Sequence, residues 1–180
     1  MPDGRVDWHL FTLAHRAETA QLQPGTAMRG YRLRPGVQID QALLARIGAA
    51  DTLEDEEDIR ARLLEATHCD ARVQDALTAL AHTPSVRQAA RELGVGVRTL
   101  ERLLRSATHH PPQFWRSLAR MRQTCHSLAS TMALAEVAAL HGYADQSHMN
   151  LSFQHWLGCT PRQLRAHPER LALLGAEGYA

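Results

Sequence analysis

The stretch Ala135-Glu136-Val137-Ala138-Ala139-Leu140-His141-Gly142-Tyr143-Ala144-Asp145-Gln146-Ser147-His148-Met149-Asn150-Leu151-Ser152-Phe153-Gln154-His155-Trp156 decides the fold. It reads as a short helix up to His141, a tight turn at Gly142, and a second helix from Gln146 that Asp145 is placed to cap. Small Ala138, four residues before the glycine, lets a second helix cross closely. Met149, Phe153 and Trp156 at i, i+4 and i+7 form a buried stripe. Gln146, Ser147, Asn150 and Leu151 fall on the outward face. Two short helices joined at a glycine, with a polar second face, make the arrangement that enters a major groove.

The same grammar occurs 48 residues earlier. Ser85 is an N-cap with Gln88 three residues on, as in a capping box. Val86, Ala89, Ala90 and Leu93 share one face, and Gly94 is free to take a positive φ in the turn Gly94-Val95-Gly96. The helix that follows buries Leu100, Leu103 and Leu104 and turns Arg98, Glu101, Arg102 and Arg105 outward. The chain therefore carries a duplicated helix-turn-helix, with recognition helices expected at about 97–106 and 146–156. Between the units, Gln113 to about Ser130 reads as one long helix opened by Pro111-Pro112. Its buried stripe is Trp115, Leu118, Met121, Cys125 and Leu128, and it spans roughly 27 Å at 1.5 Å per residue.

Outward from this region the texture changes. Val6–Leu13 and Met28–Leu33 read as two short strands, with turns at Gln23-Pro24-Gly25 and Arg34-Pro35-Gly36. A two-stranded piece does not hold itself together in water, so it packs on the helices or pairs with another chain. From about residue 39 the chain reads as helix: Ile39–Ile47, then a helix begun by the acidic run Glu54–Asp58 and carrying Ile59, Leu63 and Leu64, then Asp70–Ala81. Thr83-Pro84-Ser85 marks the expected boundary. The expected fold is mainly α, a double helix-turn-helix domain behind a small mixed β/α region. The expected units are a sensor-like or dimerisation region over 1–82, the helix-turn-helix domain over 83–167, and a tail over 168–180.

Charge divides along the same line. All 20 basic residues are Arg, and the net charge is +1. Residues 1–83 hold nine Arg against thirteen acidic residues, a net −4, whereas residues 84–180 hold eleven against six, a net +5. A basic half suits a phosphate-binding surface, since each neutralised phosphate releases condensed counterions. No apolar run approaches the ~20 residues that cross a bilayer. The first residues lack the basic-then-apolar order of a secretory signal, which makes the cytoplasm the default location.

Other chemistries find little support. Cys69, Cys125 and Cys159 are isolated and odd in number, so reduced thiols are expected and neither a zinc knuckle nor a disulfide framework. Eleven histidines raise the question of a metal. However, His109-His110 are adjacent, His148 and His155 are seven apart, and His68-Cys69 has no partner at ligand spacing. No metal and no cofactor are expected. There is no GxSxG, no HExxH and no phosphate-cradling glycine loop, so no enzyme is expected. The alternative to DNA binding is an interaction module that keeps the fold and binds a partner regulator or polymerase subunit. The arginines of the first recognition helix argue against it.

The run Ala89-Ala90-x-x-Leu93-Gly94-Val95-x-x-Arg98-x-Leu100-x-Arg102-Leu103 resembles the first unit of the AraC/XylS transcription regulators. The second unit resembles them more closely, through Glu136-Val137-Ala138-x-x-x-Gly142-Tyr143-x-Asp145-Gln146-Ser147-His148-Met149, then Phe153, Gly158, Thr160-Pro161 and Arg165. The resemblance covers residues ~84–167. It implies that Arg98, Glu101 and Arg102, then Gln146, Ser147, Asn150 and Leu151, face bases in the major groove. It implies double-stranded DNA as partner, with RNA polymerase and a second copy of the chain as further candidates. Three positions depart from the family pattern: Gly96 replaces a capping Ser, His109 a common Gly, and Leu151 a frequent Arg. The weaker cap and missing Arg lead to the expectation that the first unit dominates direct readout. More faintly, Pro2-Asp3-Gly4-x-Val6-Asp7 and Gly30-x-Arg32-Leu33-Arg34-Pro35-Gly36 resemble the end of a β-rich sensor domain in a subfamily. There a small barrel precedes this point, so a shortened sensor, or one completed by dimerisation, is expected.

Overall fold

A computed structural model describes residues 30–175, except 32, 41 and 43–55. The chain is mainly helical, as expected, and one helix organises the rest. Proline at a first helical position has its φ preset and no N–H to leave unsatisfied, and Pro112 opens a seventeen-residue helix, Pro112–Leu128. This linking helix buries Trp115, Leu118, Met121, Thr124, Cys125 and Leu128. Buried Thr124 stays satisfied because its hydroxyl donates to Arg120 O at 2.7 Å.

In chain order the described elements are β1 (Val37–Ile39), α1 (Glu56–Glu65), β2 (Thr67–Cys69), α2 (Ala71–His82), α3 (Val86–Glu92), α4 (Val97–Thr108), α5 (Pro112–Leu128), α6 (Leu134–Leu140), α7 (Gln146–Leu157), α8 (Pro161–Arg165) and α9 (Pro168–Gly175). The first unit is α2, α3 and α4, and α6 and α7 pack on the other end of α5. One continuous core runs from Val73 on α2 to Leu171 on α9. Hence α2, which sequence places on the far side of a boundary at 83, shares the core of the helices that follow. Thr83 is buried there, and its hydroxyl donates to Ala79 O at 2.8 Å. Residues 168–175, expected within a tail, form a helix packed on α5 and α8.

The described strands lie outside the two stretches that the sequence suggests. β1 and β2 form a two-stranded antiparallel sheet pairing Val37 with Cys69 and Ile39 with Thr67. Gly30, Tyr31 and Leu33 carry no regular structure, and the expected strand at Val6–Leu13 and most of the helix over 39–47 lie outside the described residues. Three-residue strands are too short to show a period, and β2 lies inside a region that otherwise reads as helix. Tertiary contacts hold the pair in place: Gln74 donates to Pro35 O at 2.8 Å, and a Cβ on Gly36 (φ +78°) would meet Val73 Cγ1 at 2.5 Å. On α1, Ile59 and Leu63 are buried with Ala66, with Tyr31 packed against them, while Leu64 is 75% exposed. Among the described residues no helix is long and apolar enough to cross a membrane.

Two outcomes test this packing. His109 ends α4 in the left-handed region at φ 60°, where a side chain costs energy that glycine does not. His109→Gly is expected to raise unfolding free energy by about 0.5–1 kcal/mol in urea titration, after the entropy lost to glycine. His141 sits half-buried with Nε2 2.7 Å from Ser127 Oγ, and burial holds its pKa below the usual 6.5. The unfolded chain therefore takes up a proton that the fold resists. This stability is complete above about pH 6.5 and is lost as pH falls below it. His141→Gln should flatten the decline in melting temperature between about pH 7 and pH 5.

Candidate nucleic-acid interface

The two units repeat in backbone geometry as well as in sequence. Gly94 and Gly142 take φ +67° and +68°. Val95 N–H donates to Ala90 O at 2.9 Å, and Tyr143 N–H to Ala138 O at 3.0 Å. These are the matching 6→1 bonds of a helix end closed by left-handed glycine. Recognition helices α4 and α7 each have twelve residues and start 49 apart, so the second turn is one residue longer. Each helix ends on a left-handed residue, His109 or Gly158, followed by a proline-initiated helix.

Local capping differs in a way that sequence partly anticipates. Ser85 Oγ accepts from Gln88 N–H at 3.1 Å, as expected. The Gln88 side chain does not return to complete the box, and instead donates to Glu92 at 3.1 Å. Gly96 leaves α4 without a side-chain cap. Asp145 caps α7 by accepting from His148 N–H at 2.7 Å. His148 Nδ1 accepts from Ala144 N–H at 3.3 Å, which leaves its proton on Nε2.

On α4, Leu100 and Leu104 are buried and Leu103 packs against the same core. Arg98, Arg102 and Arg105 are exposed and Glu101 is half-buried. Arg105 Nε pairs with Glu101 at 3.0 Å, so this pair is partly self-neutralised. Arg98 and Arg102 make no hydrogen bond or ion pair with the described residues. On α7, Met149 and Phe153 are buried, and Trp156 is half-buried with its ring 5.0 Å from Phe114. Gln146 and Ser147 are exposed, Asn150 is half-buried, and Leu151 stands 71% exposed. The structure thus brings the predicted residues into two outward faces, one cationic and one neutral.

Several arginines counted toward the basic half are already committed to carbonyl oxygens. Arg165 donates to Leu128 O at 3.2 Å and Met132 O at 2.9 Å, tying α8 to the end of α5. Arg120 donates to Gly142 O at 3.2 Å, with its guanidinium 4.3 Å from the Tyr143 ring centroid. The contact between Arg120 and Tyr143 has no signal in the sequence, because the repeat places Asp75 and Val95 at the matching positions. Burial pushes the Cys125 thiol up to about 12, which marks it as a packing group.

Residues 89–167 match the family described as a helix-turn-helix domain. The chain is 29% identical over 160 residues to the HTH-type transcriptional regulator VirS of Mycobacterium tuberculosis, in strains CDC 1551 and H37Rv. That alignment covers 79% of this chain and 44% of VirS, so the chain spans less than half the length of this relative. A solved structure titled as the DNA-binding domain of AdpA, the global transcriptional factor, in complex with a target DNA, is 28% identical. It covers 53% of this chain and 88% of the other, with a TM-score of 0.43. Residues 89–167 therefore match a helix-turn-helix domain, and the chain is similar to an HTH-type transcriptional regulator.

Proposed function

We propose that the protein binds promoter DNA in a sequence-specific way by placing α4 and α7 in two consecutive major-groove segments. The observation that carries this reading is the duplicated unit with two outward faces joined by one stiff helix. At 1.5 Å per residue the seventeen residues of α5 span roughly 26 Å, close to the ~34 Å between successive major-groove faces on one side of a duplex. Affinity comes chiefly from the first head. Arg98 and Arg102 are uncommitted cations suited to guanine edges or phosphates, and Glu101 holds Arg105 in place. The second head reads through Gln146, Ser147 and Asn150, with Leu151 offering apolar contact to a thymine methyl. Regulation then follows from occupancy of the promoter, with no covalent chemistry.

Selection from random duplexes at near-physiological salt tests the reading. A bipartite site with halves about ten base pairs apart is the expected result. A single enriched half would exclude two-headed readout, and salt-sensitive binding without enrichment would exclude sequence specificity. Arg98→Ala and Arg102→Ala should each weaken the selected site by about 1–3 kcal/mol and relax the base preference at one position. Equal losses on every sequence would reassign them to phosphates.

A further inference from the structure

We propose that Arg116 on the linking helix grips a backbone phosphate of the duplex beside the second helix-turn-helix unit. The inference rests on the reading of DNA binding above. Arg116 and Arg120 stand one turn apart and so share a helix face. Arg120 is committed to Gly142 O and the Tyr143 ring. Arg116 is not: among the described residues it makes no hydrogen bond or ion pair, although it is half-buried and its Nε is sealed from solvent. Among the described residues no carboxylate forms an ion pair with either arginine. Burial, and then the like charge of Arg120, lower the pKa of the Arg116 guanidinium. A partly desolvated cation without a counter-charge is costly, and acquiring an anion relieves that cost. The neighbouring Tyr143 is 5% exposed, and its buried hydroxyl also lacks a partner among the described residues.

The internal repeat shows that the fold does not require this cation. The buried stripe Val73, Ala76, Leu80, Thr83 on and just after α2 matches Leu118, Met121, Cys125, Leu128 on α5, with the same 3-4-3 spacing. That 45-residue relation puts Ala71 and Asp75 where Arg116 and Arg120 stand. The 48-residue relation of the turns puts Val95 in the place of Tyr143. The first unit thus forms its three-helix arrangement without the arginine pair. One member of the pair, Arg120, lies near the N-terminal end of α7. Arg120 reaches Gly142, three residues before the Asp145 cap, where a duplex backbone passes if α7 occupies the groove.

Arg116→Met keeps most of the aliphatic stem and deletes the charge. Its melting temperature should equal or exceed that of the wild type. Affinity should fall roughly tenfold, by the same factor on selected and unselected duplexes, and the slope of log K against log salt should shrink by about 0.9. Arg116→Lys should recover most of the loss. Sodium phosphate titrated into the free protein should raise the melting temperature of the wild type but not of Arg116→Met. Wild-type affinity and salt slope in Arg116→Met would overturn the proposal. So would an affinity loss that tracks a lowered melting temperature and is not rescued by lysine. If the wild type binds no duplex at all, the DNA reading fails. In that case phosphate stabilisation lost with Arg116 still supports an anion site, and its absence rejects one.

Discussion

Every other placement depends on burial of one face of the linking helix. Trp115, Leu118, Met121, Cys125 and Leu128 lie against α2–α4 on one side and α6–α9 on the other. Each large side chain removed from water contributes about 1.5–3 kcal/mol. The same residues that stabilise one unit therefore fix its position relative to the other. Because the stripe lies on one stiff helix, the spacing of α4 and α7 is set by helix length and not by a flexible tether. This is the property that two-headed binding to a rigid duplex needs.

Arginine does two jobs here. Arg120 and Arg122 donate to backbone carbonyls that bind α5 to Gly142 and Leu174, and Arg165 binds α8 to Leu128 and Met132. Their forked donors reach carbonyls that would otherwise be left open at helix C-termini. Arg98 and Arg102 remain free on the surface. The eleven arginines of the C-terminal half thus overstate the donors available to a partner, because several already donate to internal carbonyls. The exposed arginines without a partner among the described residues include Arg98 and Arg102 on α4.

The two units share a backbone and differ in chemistry. Each turn closes with a left-handed glycine and the same pair of helix-end hydrogen bonds, and each recognition helix has twelve residues. Yet α4 starts uncapped and carries cations, while α7 starts on the Asp145 cap and carries neutral polar groups. Tyr143 stands in the second turn where the first has Val95, which lines a groove with Asp75 and Arg102, and its ring lies under the Arg120 guanidinium.

Sequence alone determined the helix-turn-helix units, the linking helix and its buried stripe. Their signals are local: apolar residues at helical spacing, capping Ser85 and Asp145, and glycines where only a positive φ closes the turn. The outward faces of α4 and α7 followed from the same periodicity. Other features took shape only in three dimensions. The β1–β2 pair joins segments about thirty residues apart, each too short to carry a period. The helix α2 reads as separate until its Val73–Leu80 face meets the core of α4 and α5. The Gln88 side chain chose Glu92 over the cap, since both partners lie within reach and only the folded geometry selects one. The arginine roles were equally invisible, because a guanidinium's partner is a carbonyl fixed by packing. In this protein the sequence determined which residues turn inward or outward on each helix, and tertiary structure decided which polar groups were left without a partner.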